Sequence, residues 1–173
     1  MHQFVVTAVG PDRPGIVEQL TGHLLAADGN VLDSRMVNLR GQFAVVMLVE
    51  AHEAAATELQ ASLARLAEAM GLRLILTGAE PCPQAVSGIP FQLKTYSLDR
   101  PGIVHRVSEM LRQRGVNIEE LATRQTSAPF AGAPLFLMEM RVTVPSDLAI
   151  HELRGELQAL CDDLNCDLDF EPA

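Results

Sequence analysis

A six-residue motif that occurs twice constrains the fold of this chain more than any other feature. The sequence Asp12-Arg13-Pro14-Gly15-Ile16-Val17 returns unchanged as Asp99-Arg100-Pro101-Gly102-Ile103-Val104, 87 residues later in a chain of 173. The same shift places Asn30-Val31 on Asn117-Ile118. Likeness at a fixed distance indicates that one folding unit is present in two copies. We therefore predict two small domains of the same fold.

The segment between the copies has the composition of a linker. Residues 81–90 contain three prolines and no hydrophobic periodicity, which is typical of a stiff, extended connection. This assigns residues 1–80 to the first domain, 81–90 to the linker and 91–173 to the second domain. Units of this size bury only a limited core. We therefore expect the domains to pack on each other or on another chain, and we predict a homo-oligomer.

Each half has the hydrophobic pattern of a strand, a helix, two strands, a helix and a strand. The predicted strands cover residues 3–9, 31–38, 43–49 and 72–76 in the first half and 91–98, 118–126, 135–144 and 166–170 in the second. Pro14 suits a first helical turn, with Asp12 or Arg13 at the cap, and Ser146 suits the cap of the last helix. The βαββαβ order predicts an α+β, ferredoxin-like fold, in which helices cover one face of an antiparallel sheet.

Several strands are apolar at nearly every position, and residues 43–49 are the clearest example. This pattern predicts that both faces of the sheet are largely buried. The methionines in apolar stretches, Met36, Met47, Met110, Met138 and Met140, are predicted to lie in the core. The same holds for Cys161 and Cys166, because three cysteines without a paired spacing favour neither a disulfide framework nor a zinc site.

The charge of the chain argues against direct binding to nucleic acid. Thirteen basic and twenty-two acidic residues give a net charge of −9, and Lys94 is the only lysine. Binding to DNA or to an anionic membrane surface requires basic residues that neutralise phosphates. No stretch has the pattern of a signal peptide or of a membrane span. We therefore expect a cytoplasmic protein that, if it regulates genes, acts through another protein.

Catalytic signatures are missing from the sequence. The five histidines are scattered, and no Gly-rich phosphate loop, nucleophile elbow or paired acid and base is present. His105 stands in the second copy where the first has Glu18, and we expect its ring to be exposed. The prediction is a protein that is not an enzyme and that holds no metal or cofactor.

The repeated motif also has the properties of an anion site. The first amides of a helix lack partners and lie at the positive end of its dipole, which suits a carboxylate. Gly15 and Gly102 allow a close approach to the backbone, and Asn30 and Asn117 carry both a donor and an acceptor. A simpler interpretation of the motif also stays open, in which Asp12 and Asp99 only cap the helix. Arg13 and Arg100 are either carboxylate clamps or members of solvated ion pairs.

A βαββαβ unit with Asp-Arg-Pro-Gly-Ile-Val between its first strand and first helix resembles an ACT domain, a small module that binds amino acids. Two such units with a short proline-rich linker are similar to the glycine cleavage system transcriptional repressor family. The ACT resemblance implies an effector site at this turn, against a neighbouring domain. The implied ligand-binding residues are Asp12, Arg13, Pro14, Gly15, Ile16 and Asn30 in the first copy and Asp99, Arg100, Pro101, Gly102, Ile103 and Asn117 in the second.

The family resemblance implies a non-enzymatic regulator that controls glycine cleavage genes by binding a DNA-bound activator. Glycine or a related small amino acid is the implied effector. Two alternatives remain open. One is an allosteric subunit that docks on a metabolic enzyme, and the other is an assembly module that binds no ligand.

Overall fold

The computed structural model describes residues 2–79, 87–127 and 134–173. The chain divides into two compact units, Met1–Cys82 and Pro83–Ala173. Each unit contains a four-stranded antiparallel sheet and two helices in the order βαββαβ. The α+β, ferredoxin-like fold predicted from the sequence is therefore confirmed. Within the described ranges, no helix combines the length and the hydropathy that crossing a membrane requires.

The first unit is built on a sheet with the strand order β2-β3-β1-β4. Its elements are β1 (His2–Pro11), α1 (Ile16–Ala26), β2 (Asn30–Leu39), β3 (Gln42–Ala51), α2 (Glu53–Met70) and β4 (Arg73–Gly78). Both neighbours of β1 are antiparallel to it, and Val6 pairs with Met47 on β3 and with Leu76 on β4. The apolar positions of α1 recur at helical spacing, so that Ile16, Leu20 and Leu24 are buried against the sheet.

The second unit repeats this arrangement with the strand order β6-β7-β5-β8. Its elements are β5 (Gly88–Leu98), α3 (Ile103–Gln113), β6 (Asn117–Ser127), β7 (Pro134–Pro145), α4 (Ile150–Leu164) and β8 (Cys166–Pro172). Strand β5 begins at Gly88, so the last three residues of the predicted linker belong to a strand. The rest of that linker, apart from Ser87, lies outside the described residues, as do residues 128–133 between β6 and β7, where the sequence predicts a longer loop than in the first unit.

The helices begin later than the sequence suggests. The N-cap of α1 is Gly15 and that of α4 is Ala149, and neither helix start has a side-chain cap. The predicted caps Asp12, Arg13 and Ser146 are therefore wrong, and Pro14 precedes the helix. Capping preferences identify a helix start only when the chain enters the helix directly. Here a turn stands between the strand and the helix.

Each sheet has one face packed under its two helices and a second face that we call the open face. In the first unit, side chains of β1 and β3 alternate between the two, so that Val6 is buried while Val46 is 46% exposed. Ile75 on β4 is 67% exposed. The expectation that both faces are largely buried is therefore wrong for the chain by itself.

Most predicted core residues lie where the sequence puts them. Met47, Met138, Met140, Cys161 and Cys166 are buried, and Met110 is half-buried. Met36 is the exception. It is 54% exposed, and it contributes to the site described next.

Candidate functional site

The repeated motif forms a tight turn that joins the first strand of each unit to its first helix. Gly15 has φ 90° and ψ −2°, and Gly102 has φ 99° and ψ −8°. These angles match the third position of a type II turn, which requires a positive φ and therefore favours glycine. Proline is favoured at the position before it because its fixed φ suits the second position of that turn. The Pro-Gly pair thus has a local structural reason in both copies.

In the first unit, Asp12 ties this turn to the β2–β3 hairpin. Its amide donates to Gly41 O at 2.8 Å, and its carboxylate accepts a hydrogen bond from the side-chain amide of Asn38. Asn38 also accepts from Gly41 N at 3.1 Å. The Asp12 carboxylate therefore positions the turn, and it does not cap the helix.

The second unit repeats two of these three hydrogen bonds. Asp99 N donates to Pro134 O at 3.1 Å, and Gln125 Nε2 donates to Asp99 Oδ2 at 2.7 Å. Asn38 and Gln125 are 87 residues apart, the same shift that relates the two motifs. This pair of amide side chains was not among the predicted site residues, because it lies outside the repeated motif, but the same 87-residue shift relates its two positions.

After the turn, the first amides of each helix have no hydrogen-bond partner within the helix. The first bond of α1 runs from Gln19 N to Gly15 O at 3.0 Å, and that of α3 from Arg106 N to Gly102 O at 3.0 Å. The three amides before each donor have no acceptor within the helix. They lie at the positive end of the helix dipole and suit a carboxylate.

A cleft of about 730 Å³ opens at the turn of the first unit. It brings together five predicted site residues, three further residues of α1 and two apolar residues of the neighbouring strands. The lining residues are Asp12, Arg13, Pro14, Gly15, Ile16, Val17, Glu18, Thr21, Met36 and Phe43. The cleft therefore combines a cation, an anion, free amides and an apolar wall, a combination that suits a small zwitterion. Met36 and Phe43 were not predicted, because β2 and β3 reach the turn only through the fold. Val17, Glu18 and Thr21 were not predicted either, although they follow the predicted residues along α1.

The two motif arginines are exposed and differ in their contacts. Arg13 donates to Gln19 Oε1 at 3.3 Å, where the sequence allowed an ion pair with a neighbouring acid. Within the part of the chain that the structure describes, Arg100 has no hydrogen bond or ion pair. Both guanidinium groups are thus available to a ligand. To bind it, Arg13 would give up only its hydrogen bond to the neutral side chain of Gln19.

The asparagines that were grouped with the turns lie elsewhere in each unit. Asn30 is the first residue of β2, whereas Asn38 beside Asp12 is near the end of the same strand. Eight residues of strand span about 26 Å. Asn117 begins β6 in the same way, and its side chain donates to Glu119 Oε1 at 2.5 Å. Within one unit, a small ligand at the turn cannot also contact Asn30 or Asn117.

The third helical position differs between the copies. Glu18 lines the cleft of the first unit, and His105 occupies the equivalent position on α3. Both side chains are exposed, as we expected for His105. The carboxylate of Glu18 adds a negative charge to the first turn that the second turn lacks.

Comparison with known proteins identifies the module in the first unit and relatives that match nearly the whole chain. A family model described as ACT domain matches residues 2–77. The "Glycine cleavage system transcriptional repressor" of Escherichia coli (strain K12) is 28% identical over 166 residues, which are 95% of this chain and 86% of the repressor.

Two solved structures match along the whole length. A structure described as an unknown protein from Galdieria sulphuraria has a TM-score of 0.85 and 32% identity, with 99% of this chain and 98% of that chain covered. A "putative glycine cleavage system transcriptional repressor" has a TM-score of 0.74 and 24% identity, with the same coverage. Both chains thus share the fold of this one from end to end.

Proposed function

The chain belongs to the ACT-domain proteins, with two such domains in tandem and a full-length likeness to a glycine cleavage system transcriptional repressor, and we propose that it is an amino-acid-responsive regulator of glycine cleavage genes. The regulator is not an enzyme. It binds a small amino acid at the turn between β1 and α1, and it acts on transcription by binding a DNA-bound regulator protein.

The cleft at Gly15 is the observation that carries the ligand part of this proposal. An amino acid carboxylate fits the free amides at the start of α1, with the exposed guanidinium of Arg13 as a second donor. The carboxylate of Glu18 suits the ammonium group. Asp12 is already engaged with Asn38, so its role is to hold the turn in the shape that presents the amides.

The charge of the chain supports a protein partner. With a net charge of −9, the chain is poorly suited to neutralise phosphates. A DNA-bound activator would supply the DNA contacts, and this chain would alter its activity. The effector can control that complex only through a difference in its affinity for the free and the partner-bound chain.

A thermal-shift screen of the twenty amino acids tests the ligand part. We expect glycine or another small amino acid to raise the melting temperature, because a ligand that binds only the folded state stabilises it. Val17→Pro removes one free amide in the first turn of α1 without breaking a hydrogen bond within the helix, and it should abolish the shift. Val104→Pro makes the same change in the second unit and shows whether that turn also binds.

Circular dichroism of both variants checks that the helices persist.

If no amino acid shifts the melting temperature at millimolar concentration, the ligand part is wrong, and an assembly module without a ligand becomes the better description. If a ligand binds but the chain is captured with a biosynthetic enzyme and not with a transcriptional activator, the chain is an allosteric subunit.

A further inference from the structure

The open face of the first unit carries an apolar surface that the helices do not cover. Its central row runs across all four strands through Arg35, Val46, Thr7 and Ile75, which are paired in register. Val46 is 46% exposed and Ile75 is 67% exposed. Val9 and Val37 in the adjacent row are 42% and 48% exposed. A contiguous apolar patch of this kind indicates an interaction surface.

The second unit has charged residues at three of the four positions of the equivalent row. Its equivalent row runs through Ala122, Glu139, Lys94 and Asp169. Lys94 lies 3.9 Å from Glu139, so this open face is solvated and partly neutralised. The cores of both units remain apolar. The two copies therefore differ at the centre of their open faces, where the first has Val46 and Ile75 and the second has Glu139 and Asp169.

Charges on the open face of the first unit cancel. Four charged residues belong to it by strand register, namely Asp33, Arg35, Glu50 and Arg73. Asp33 and Arg35 form an ion pair at 2.6 Å. Two acids and two bases give a neutral face on a chain with a net charge of −9. Two copies can therefore approach through this face with little of the repulsion that other surfaces would produce.

We propose that the open face of the first unit is the interface of a homodimer, in which it packs on the same face of a second copy. Such an interface is isologous, because each copy contributes the same patch. The face has a knob and a hole that fit this symmetry. Ile75 projects from the edge strand β4. A depression of about 140 Å³ lies on the same face toward the other edge of the sheet, and it is lined by Val5, Asp33, Ser34, Arg35, Val46 and Leu48.

A two-fold axis parallel to the strands brings these two features together. Rotation about that axis keeps each residue at its height along the strands and places β4 of one copy over β2 of the other. Ile75 of each copy then lies over Arg35 and Val46 of its partner, which belong to the row that contains Ile75. Two sheets packed face to face lie about 10 Å apart with interdigitated side chains.

The size of the face predicts a dimer that dissociates on dilution. Four strands at about 4.8 Å spacing and about 3.3 Å per residue give a face of roughly 500 Å² per copy. Two copies bury about 1,000 Å², which is close to the lower limit for a specific interface.

Analytical ultracentrifugation over a concentration series tests the proposal on the unmodified chain. We expect a monomer–dimer equilibrium with a dissociation constant between about 1 µM and 1 mM. Val46→Glu introduces the charged residue that the second unit has at this position, where the same fold accommodates it. It should raise the dissociation constant at least about tenfold, because it buries a carboxylate without a partner. Ile75→Ala removes the apolar side chain that lies over Arg35 and Val46 of the second copy, and it should raise the dissociation constant by about tenfold.

Leu25→Glu is the matched control. Leu25 is 76% exposed on α1, so the change adds the same charge away from the open face and should leave the dissociation constant within about twofold. Circular dichroism and thermal unfolding verify that the variants are folded. A chain that stays monomeric throughout the series overturns the proposal. So does a dimer whose dissociation constant is unchanged by both substitutions, or is raised equally by Leu25→Glu.

Discussion

Gln125 donates a hydrogen bond to the carboxylate of Asp99 at 2.7 Å, and Asn38 makes the same contact with Asp12 in the other copy. Each pair joins the motif turn to the strand that follows the first helix. The repeat therefore preserves a tertiary contact as well as six residues of sequence. Because the aspartates are engaged in this way, they shape the turn, and the ligand contacts that we propose fall to the amides and the arginine.

Asn38 should contribute to stability through this contact. Asn38→Ala removes the donor, and we expect the free energy of unfolding to fall by about 1 kcal/mol. Asn38→Asp should cost more, because it places two carboxylates side by side, and the extra cost should shrink in 1 M salt. Urea denaturation measures both. Gln60→Glu adds the same charge at an exposed position of α2, away from Asp12, where we expect a change below about 0.5 kcal/mol. Equal effects of Gln60→Glu and Asn38→Asp would refute the proposed role.

Gly15 and Gly102 should resist substitution for conformational reasons. Their φ angles are 90° and 99°, a region that costs an L-residue about 1 to 2 kcal/mol. The space at Gly102 is open, and at Gly15 the nearest atom to an added Cβ is Gln19 Nε2 at 3.4 Å. Gly15→Ala and Gly102→Ala should therefore each lower the free energy of unfolding by about 1 to 2 kcal/mol.

The matched control for these substitutions is Gly22→Ala inside α1. An added Cβ there meets its nearest neighbour, Glu18 Oε1, at 3.9 Å, and alanine favours a helix by about 0.5 to 1 kcal/mol over glycine. We expect Gly22→Ala to raise the melting temperature. If Gly15→Ala raised it as well, the strained turn would not be the reason for the Pro-Gly pair.

Two hydroxyl groups are buried in the core of the second unit without a hydrogen-bond partner among the described residues. They belong to Thr95 and Ser97, which stand where the first unit has Ala8 and Gly10. Thr95→Val replaces the hydroxyl with a methyl group of similar size. Because it removes an unsatisfied polar atom, it should leave the free energy of unfolding unchanged or raise it by about 1 kcal/mol. A loss of more than about 1 kcal/mol on chemical denaturation would mean that the hydroxyl has a partner, such as a buried water.

Cys161 should make the stability of the second unit depend on pH in the alkaline range. Burial raises the pKa of its thiol to about 11, with smaller contributions from Cys166 and Asp162. The folded protein thus holds this proton more tightly than the unfolded chain. The resulting stability is complete below about pH 9 and is lost as the pH rises toward 11, by up to about 1.4 kcal/mol per pH unit.

Urea denaturation of the unmodified chain and of Cys161→Ala, at several pH values from 7.5 to 10.5, isolates this contribution. The substitution costs packing at every pH, but it also removes the titrating group. The difference in the free energy of unfolding between the two proteins should therefore shrink as the pH rises. A difference that stays constant would show that the thiol titrates at its ordinary pKa.

Sequence reasoning predicted the fold of both units because two independent signals agreed. The periodicity of Ile16, Leu20 and Leu24 defined the core side of α1, and the repeat gave the same order of elements twice. The residues Leu39-Arg40-Gly41-Gln42 between two apolar stretches are also typical of a hairpin, and Gly41 has a φ of 83° there. These features depend on neighbours along the chain, which the sequence shows directly.

The errors concern contacts between residues that are distant in sequence. Capping rules put Asp12 at the helix start, whereas its partner Asn38 lies 26 residues away on β2. An apolar pattern predicted core burial for Met36 and Val46, but whether a strand side chain is covered depends on what packs against that face. Asn30 lies at the far end of β2 from the turn of its own unit, so a site that contains both stays a prediction that requires a neighbouring unit.

The most direct test of the account is the effect of the purified chain on a transcriptional activator bound to a glycine cleavage promoter. Electrophoretic mobility or footprinting is measured with DNA alone, with the activator, and with the activator and this chain, each with and without glycine. We predict that the chain does not bind the DNA alone, that it changes the activator–DNA complex, and that glycine alters this change. Direct binding of the chain to DNA, or an activator complex that the chain leaves unaltered under every condition, would contradict the account.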